Sequence, residues 1–444
     1  MREPDFAGLL RRAQAEQRAP SVSAAVFSGR EVVWAEAVGL ADVDAGREAT
    51  PETQYPIASI TKTFVAVSVL QLRDAGALAL DDPLDRHLPE SPHGPSLRQL
   101  LAHLGGIQRE VPGERVWETL EFPSLEEVLA GLGDVSAELD PGLAWHYSNL
   151  GFVLLGEVVA RVSGLAVDRY VRERILQPLG LARTTWGSEE PAARGYLTHP
   201  FADSVMPEPV PARRGTDAAG GLWSTTGDLA RWGAFLADPD ASVLAPSTVD
   251  EMRTLQTMAE PQRWTLGWGL GLMLYRTGER ILLGHDGAAI GGSSIVVVEP
   301  ESRVGAVVLA NTTSGFDQAT LAFELVDAAI AARGPEVWRP AAAAAPPPEI
   351  APILGRWWSE GVEFVFSWRD GRLEARSAKA PSWRAPAVFE PAGPDRFRTV
   401  SGRERGEWLE VERGPRGSVA KLYWASYPFT RDPRPFGPYA NPGV

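Results

Sequence analysis

The sequence predicts an α/β domain followed by a small all-β domain, and three observations lead to this expectation. Strand-like runs occur at both ends of the first 335 residues, helical patterns fill the region between them, and the last part of the chain has short strand patterns only. A length of 444 residues also exceeds what one hydrophobic core usually organises. We expect one sheet built from both ends of residues 1–335, a mainly helical insertion, and a cleft where the two meet.

Two sets of strands frame this first domain. The segment SVSAAVFSGREVVWAEAVGL (21–40) has two apolar runs around Ser-Gly, which is typical of a hairpin. Residues 280–312 alternate β-rich runs with turn residues, and residues 316–334 then form a helical pattern that Gly334 is expected to close. Helical patterns occupy three further segments, which are residues 60–75, 96–103 and 148–164 with Gly164 as the C-cap.

The end of the chain has a different composition. PAAAAAPPPEIAP (340–352) suits a semi-rigid connection, and the residues after it combine short strand patterns with Gly, Pro and Asp turns. We therefore expect a Pro/Ala-rich linker at 336–350 and a β-barrel-like domain, resembling a lipocalin, at 351–444.

Charge and composition exclude several classes of function. The net charge of −14 has no basic patch to offset it, so nucleic acid is not an expected partner. The chain has no cysteine, which excludes disulfides, thiolate metal sites and cysteine nucleophiles. No paired-histidine spacing predicts a metal, and we expect no cofactor. The chain has neither a signal-like N-terminus nor an apolar run of about 18 residues, so we expect a cytoplasmic protein without a membrane partner.

The tetrapeptide Ser59-Ile-Thr-Lys62 opens an apolar helical pattern. Lysine occurs elsewhere only at 379 and 421, so Lys62 is chemically conspicuous. In a helix that begins near Ser59, the spacing of three residues brings both side chains onto one face, where the amine can take the hydroxyl proton. The ordinary pKa of lysine is about 10.4, so such a site must bury the amine or place charge beside it. The alternative is an N-cap serine followed by a solvated lysine.

Four further segments extend this pattern. WHYSNLGF (145–152) lies where a loop becomes a helix, and GHDGAAIGG (284–292) lies in the late strand set. LRQLLAHLGGI (97–107) and GGLWSTTGDLARWGAFL (220–236) add to them. With the Ser59 tetrapeptide, in this order, these segments resemble the penicillin-binding-protein and serine β-lactamase superfamily, in its class C-like branch. The resemblance implies a β-lactamase/transpeptidase-like fold for residues 1–335.

The resemblance also implies roles for individual catalytic residues. Ser59 would be the acylated nucleophile, Lys62 its proton acceptor, and Tyr147 a proton shuttle to the leaving group and from the incoming nucleophile. His285 stands where many relatives have the lysine of Lys-Thr-Gly. That substitution is familiar in the peptidase and esterase branches and makes β-lactamase activity less expected.

Five substrate-binding residues follow from the same resemblance and from the β-rich tail. Asn149 would hold Lys62 and a substrate amide, and the N–H groups of Ser59 and Ala288 would form the oxyanion hole. Gly287 would keep the strand edge open to substrate, or be an ordinary strand-edge glycine. Trp223 would wall the pocket and Arg431 would pair with a peptide carboxylate, their alternatives being a core tryptophan and a solvated arginine.

The acyl donor is the least determined feature. We expect a peptidyl thioester or amide with a D-residue at the acyl end, and specifically a thioesterase that releases and cyclises nonribosomal peptides in antibiotic biosynthesis. Its donor would be a small-molecule or peptide substrate, with a peptidyl carrier protein as the partner that delivers it. The first alternative is a simple hydrolase, either a D-amino-acid peptidase or a carboxylesterase. A non-enzymatic scaffold with the same fold is the second.

Overall fold

The structure is a computed structural model that describes residues 4–91, 94–113, 116–211, 215–313, 315–333, 345–381, 384–414 and 417–434. The chain separates into two compact units, Met1–Pro335 and Glu336–Val444. The linker expected at 336–350 and the helix-closing role of Gly334 fall largely or wholly on residues outside the described ranges.

A single antiparallel sheet joins the two ends of the first unit. Its strand order, within the described residues, is β3-β2-β1-β14-β13-β12-β11-β10-β9. The N-terminal and late strand sets meet where β1 pairs with β14, with Val22 opposite Ala310. The strands of this unit are β1 (Ser21–Ser28), β2 (Glu31–Asp42), β3 (Arg47–Glu48), β4 (Tyr55–Pro56), β5 (Thr185–Trp186), β6 (Tyr196–Thr198), β7 (Val205–Pro207), β8 (Leu222–Ser224), β9 (Thr257–Met258), β10 (Leu266–Trp268), β11 (Met273–Thr277), β12 (Arg280–Ala289), β13 (Gly292–Glu299) and β14 (Val304–Ala310).

Helices cover both faces of this sheet. Phe6 and Leu10 of the first helix pack with Leu325 of the last helix against one face, while Phe64 and Trp232 belong to the larger core on the other face. No single helix among the described residues is long and apolar enough to cross a membrane. The helices are α1 (Phe6–Gln17), α2 (Thr61–Asp74), α3 (Leu97–Leu101), α4 (Val116–Thr119), α5 (Leu125–Ala130), α6 (Asn149–Ser163), α7 (Val167–Val171), α8 (Asp217–Gly220), α9 (Thr226–Ala237), α10 (Pro246–Met252) and α11 (Gln318–Arg333).

Local sequence signals explain the two helices that carry most of the site. Helix α2 has an apolar run from Phe64 to Leu70, interrupted only by Ser68, and is mostly buried, which confirms the helix expected at 60–75. Helix α6 starts at Ser148, whose Oγ accepts the Gly151 N–H at 3.0 Å, and ends at Gly164 with φ 73°. The predicted Gly164 C-cap is therefore confirmed.

The second unit is a closed antiparallel meander. Its strands follow one another in sequence order, and Trp358 and Thr430 exchange backbone hydrogen bonds that join the first strand to the residue after the last. This agrees with the expected barrel-like domain. Ile350 and Ile353 pack into its core, so the linker ends earlier than the predicted residue 350. The strands are β15 (Gly355–Ser359), β16 (Val362–Arg369), β17 (Arg372–Ser377), β18 (Ala387–Pro391), β19 (Arg396–Thr399), β20 (Trp408–Arg413), β21 (Val419–Trp424) and β22 (Tyr427–Phe429).

Candidate active site

Ser59 lies on a tight turn between β4 and α2. The turn is a short 3₁₀ helix, Ala58–Ile60, and Ala58 has φ 44°, a left-handed conformation that costs energy for a residue with a Cβ. Ser294 Oγ donates to the Ile57 carbonyl at 3.0 Å and so ties this turn to β13. The surrounding sheet therefore fixes the turn that carries Ser59 to the start of α2, with the strained backbone at Ala58.

Lys62 is fully buried one turn away from the serine. Its Nζ lies 3.0 Å from Ser59 Oγ, 2.8 Å from Asn149 Oδ1 and 2.6 Å from the Ala219 carbonyl oxygen. A neutral amine has two N–H donors and one lone pair. In the ammonium form Nζ donates to all three oxygens, and in the neutral form the amide and carbonyl oxygens match the two donors, so that the lone pair can accept the Ser59 proton. Burial rules out the alternative of a solvated lysine.

The Tyr147 hydroxyl reaches the serine from the loop that precedes α6. It donates to Ser59 Oγ at 2.9 Å. Burial raises the pKa of Tyr147 well above its ordinary value, against the opposing effect of the Ser59 hydrogen bond, so the phenol is protonated in the free enzyme. The phenol is therefore a proton donor before any reaction starts, and the base must be another group.

His103 supports the Tyr147 ring from behind. The two rings stack with centroids 4.2 Å apart, and His103 Nδ1 accepts the Ser148 N–H at 3.0 Å. Burial, together with the nearby Lys62 charge, keeps the pKa of His103 well below its ordinary value. His103 is thus a neutral ring that fixes the Tyr147 loop.

His285 is buried on β12 beside the same cluster. Its Nδ1 lies 2.5 Å from the Asp286 carbonyl oxygen, so Nδ1 carries the proton and Nε2 is an acceptor. Nε2 has no hydrogen-bond partner among the described residues. Burial lowers the pKa of His285 to about 3, helped by the Lys62 charge, and burial raises the pKa of Asp286 to about 6. His285 is therefore uncharged near neutral pH.

Three of the residues predicted to bind substrate lie around the nucleophile. Asn149 contacts Lys62 as expected, although one of its amide N–H groups is already donated to Glu110. Ala288 is exposed and lines the same small pocket as Ser59. Trp223 lines a neighbouring cavity of about 340 Å³, together with residues of the β12–β13 turn.

Gly287 is required for a reason that the sequence did not predict. A Cβ there would overlap the Ile57 carbonyl oxygen and Ser294 Oγ. The missing side chain therefore lets β12 approach the turn that bears Ser59. Close backbone packing is thus a structural reason for this glycine, and its role in keeping the strand edge open to substrate stays a prediction.

Substrate binding by Arg431 stays a prediction, and the structure gives this residue contacts of its own. Its guanidinium donates to the carbonyl oxygens of Pro352, Leu354 and Arg356, and it stacks on the Trp357 ring with its Cζ 3.8 Å from the centroid. These contacts all lie within the C-terminal unit. Arg431 therefore fastens the two ends of the barrel, and substrate carboxylate binding is not needed to explain it.

Sequence reasoning missed three groups at the site. The Ala219 carbonyl accepts from Lys62, Glu110 accepts from Asn149, and the Arg109 guanidinium lies 4.9 Å from the centroid of the Tyr147 ring. A backbone carbonyl leaves no signal in a sequence, and the two charged residues lie in an irregular segment without periodicity. The complete arrangement is a serine acyl-transfer site, because one hydroxyl has a base and a proton donor within hydrogen-bonding distance.

Comparison with protein families identifies both units. A family described as Beta-lactamase matches residues 6–330, and a domain of unknown function (DUF7586) matches residues 346–431. Among curated proteins, "Protein flp" of Staphylococcus aureus strain MW2 is 26% identical over 312 residues, which are 67% of this chain and 60% of that protein. The chain thus spans less than two thirds of this relative's length.

Two solved structures are similar over most of their length. The structure described as SurE is 26% identical with a TM-score of 0.60, covering 96% of this chain and 98% of that one. The D-amino acid amidase of Ochrobactrum anthropi SV3, complexed with L-phenylalanine amide, is 26% identical with a TM-score of 0.63 and covers 74% of this chain and 98% of that one. The likeness to SurE therefore extends over both units. The likeness to the amidase covers a share of this chain close to the size of its N-terminal unit.

Proposed function

The chain belongs to the Beta-lactamase family, and from that membership we propose that it transfers a peptidyl acyl group through an ester on Ser59. The observation that carries the proposal is the position of Ser59 Oγ, 3.0 Å from Lys62 Nζ and 2.9 Å from the Tyr147 hydroxyl. One oxygen is thereby placed between a base and a proton donor. Ester formation on a serine requires both groups.

In the acylation step, Ser59 Oγ attacks the carbonyl carbon of the donor while its proton passes to the lone pair of Lys62. The negative charge on the former carbonyl oxygen is stabilised by the N–H groups of Ser59 and Ala288. When the bond to the leaving nitrogen or sulfur breaks, Tyr147 protonates that atom and regains a proton from the Lys62 ammonium. Acyl-Ser59 and a neutral leaving group result, so atoms and protons balance.

Deacylation reverses these transfers. An amine or a water molecule gives its proton to the Tyr147 and Lys62 pair as it attacks the ester, and Ser59 recovers its hydroxyl proton when the ester bond breaks. The same groups serve both acceptors. The identity of the acceptor therefore depends on which nucleophile reaches the ester first.

The specific proposal is a thioesterase that releases and cyclises a peptide with a D-residue at its acyl end. The proposal draws on the likeness to SurE, which covers 96% of this chain, and on the cavity of about 340 Å³ beside the β12–β13 turn, which is large enough for several atoms beyond the scissile carbonyl. The donor would be carried as a thioester, with a peptidyl carrier protein as the delivering partner.

The alternative is simple hydrolysis, as a D-amino-acid peptidase, amidase or carboxylesterase. Likeness to a D-amino acid amidase supports it, because that likeness covers nearly all of the amidase. The uncharged His285 bears on both candidates. Where a lysine would attract a substrate carboxylate, a neutral imidazole with a pKa near 3 provides no positive charge. Donors with a carboxylate beside the scissile bond, including β-lactams, should therefore react poorly.

Product mass decides between these candidates. Wild-type protein is incubated with a soluble peptidyl thioester that has a C-terminal D-residue and a free N-terminal amine, and the products are analysed by liquid chromatography and mass spectrometry. A product lighter than the linear acid by one water supports cyclisation. The linear acid alone supports hydrolysis and contradicts the cyclase. Ser59→Ala is the control, and any turnover it retains is not due to this site.

A further inference from the structure

The segment Gln108–Glu110 is bound to the first turn of α6. The Arg109 carbonyl oxygen accepts the N–H groups of Asn149 at 2.7 Å and Leu150 at 3.2 Å, and the Gln108 carbonyl oxygen accepts from Ser148 Oγ at 2.7 Å. These bonds satisfy backbone groups that a helix N-terminus otherwise leaves without partners. The segment is therefore held in a fixed position directly beside the catalytic loop.

This docking brings the Glu110 carboxylate to the Asn149 amide. Asn149 Nδ2 donates to Glu110 Oε1 at 2.8 Å, and Asn149 Oδ1 accepts from Lys62 Nζ, also at 2.8 Å. An ionised carboxylate can only accept hydrogen bonds, whereas an amide donates from one end and accepts at the other. Glu110 therefore requires that the NH₂ end of the amide face it and that the oxygen face Lys62.

The direction of the Asn149 amide decides whether the lone pair of Lys62 can accept the Ser59 proton. With the amide oxygen toward Lys62, a neutral Lys62 donates its two N–H groups to Asn149 and to the Ala219 carbonyl oxygen, and its lone pair faces Ser59 at 3.0 Å. With the amide reversed, Asn149 would donate an N–H to Lys62. That donor would compete for the same lone pair that must receive the Ser59 proton.

We propose that Glu110 is a positioning residue for the acyl-transfer reaction, which it serves by fixing the Asn149 amide so that Lys62 keeps its lone pair for Ser59. The inference rests on the proposed function, because it concerns the proton acceptor of that reaction. The Glu110 side chain is 28% exposed and its Oε1 also lies 3.3 Å from Arg109 Nε. Arg109 thus contacts the same carboxylate oxygen that accepts from Asn149.

A double-mutant cycle tests the proposal. The rate of Ser59 acylation by an activated ester, p-nitrophenyl acetate, is measured for wild type, Glu110→Ala, Asn149→Ala and the double variant. We expect Glu110→Ala to lower the acylation rate about 10- to 100-fold, the size typical of residues that orient a reacting group, with little change in KM. In the Asn149→Ala background, removal of Glu110 should change the rate by less than about twofold, because its effect passes through Asn149.

Two further variants separate positioning from general damage. Glu110→Gln keeps a carbonyl oxygen that can accept from Asn149 but adds an NH₂ donor that permits the reversed amide, so it should restore only part of the rate lost in Glu110→Ala. Glu121→Ala removes an exposed carboxylate from the neighbouring segment and should leave the rate unchanged. A wild-type rate in Glu110→Ala, or an equal loss in both backgrounds, would overturn the inference while leaving acyl-Ser59 intact. A wild type in which Ser59 is not acylated at all overturns both this inference and the proposed function.

Discussion

A buried lysine acts as a base only if its surroundings leave its lone pair available. At Lys62 the two nearest oxygens other than Ser59 Oγ belong to an amide and a backbone carbonyl, and both are acceptors. The acceptors 2.8 Å and 2.6 Å from Nζ are therefore both uncharged groups. A carboxylate there would pair with the ammonium form, whereas neutral acceptors leave the amine free to exchange a proton with Ser59.

Tyr147 allows a clean test of the proton donor. In Tyr147→Phe the ring can still stack on His103, but the hydroxyl that donates to Ser59 at 2.9 Å is lost. We expect acylation of Ser59 to slow by about 10²- to 10⁴-fold, the usual contribution of a general acid or base. The rate is measured by the release of leaving group in a single turnover. A variant within about threefold of wild type would mean that another group protonates the leaving atom.

The pair His285 and Asp286 predicts opposite effects of pH on stability. The pKa of His285 falls from 6.5 to about 3 on folding, so the unfolded chain binds more protons between these values and His285 makes stability rise with pH. The pKa of Asp286 rises from 3.8 to about 6, so Asp286 makes stability fall as pH rises through that window. The Asp286 side chain is 41% exposed and His285 only 1%, so His285 should dominate.

Two variants separate these contributions. Asp286→Asn should steepen the rise in the free energy of unfolding between pH 4 and 6, and His285→Gln should flatten it. The free energy is measured by urea unfolding at several pH values, following the transition of residues 1–335. Unchanged slopes in both variants would show that neither group changes its proton affinity on folding.

A sequence predicts a contact between site residues most directly when the residues are close together in the chain. Ser59 and Lys62 follow from helix geometry, because three residues correspond to about one turn. The distance from Tyr147 to Ser59 does not, since 88 residues separate them and only the resemblance to a family joins them. Glu110 had no signal of either kind. It lies in an irregular segment whose position is set by hydrogen bonds to α6.

At the scale of elements, the site depends on the contact between β12 and the turn before α2. A Cβ on Gly287 of β12 would lie 2.3 Å from the Ile57 carbonyl oxygen, so Gly287→Ala must push the strand and the turn apart. We expect a loss of about 1–3 kcal/mol in the free energy of unfolding, as for other overpacked positions. Acylation of Ser59 should slow as well, because Ala288 would move away from the oxyanion.

The matched control is Gly227→Ala in α9. Gly227 has no atom closer than 4.0 Å to the place of an added Cβ, and helical glycines cost stability relative to alanine. This variant should be as stable as wild type or slightly more stable, with normal activity. If Gly287→Ala behaved in the same way, the close approach of β12 would not be what positions Ser59.

Elements with strong local signals were predicted well. The helix at 148–164 has a serine N-cap, an apolar run and a terminal glycine, and the structure gives α6 at Asn149–Ser163. A sheet built from both ends of residues 1–335 followed from the order of strand patterns along the chain, but the pairing of β1 with β14 and its register did not. Register depends on which apolar residues meet helices on each face of the sheet, and a single sequence does not contain that information.

At the scale of the whole molecule, Arg431 shows the limit of reasoning from charge alone. Its position near the end of the chain suggested a substrate carboxylate, whereas its guanidinium binds the carbonyl oxygens of Pro352, Leu354 and Arg356. The sequence contains no sign of which carbonyls surround an arginine. The residue helps to close the barrel, next to the exchange of hydrogen bonds between Trp358 and Thr430.

Arg431→Ala should therefore act on stability and not on catalysis. Loss of the carbonyl contacts and of the Trp357 stacking should cost about 1 kcal/mol, which lowers the melting temperature of a domain of this size by about 4–8 °C. Calorimetry should show this shift in one transition only, with an unchanged rate of Ser59 acylation. Arg403→Ala, which removes a 94% exposed side chain, is the control. A raised KM for substrates with a free carboxylate would support the substrate-binding role.

The most direct test of the acyl-transfer site is the mass of the protein itself. The wild type is mixed with a peptidyl thioester that has a C-terminal D-residue, quenched in acid within the first turnovers, and analysed intact and after proteolysis. We expect a mass increase equal to the peptidyl group on the peptide that contains Ser59, absent in Ser59→Ala and strongly reduced in Lys62→Ala. An adduct on another residue, or one that persists in Ser59→Ala, would contradict the central role of Ser59.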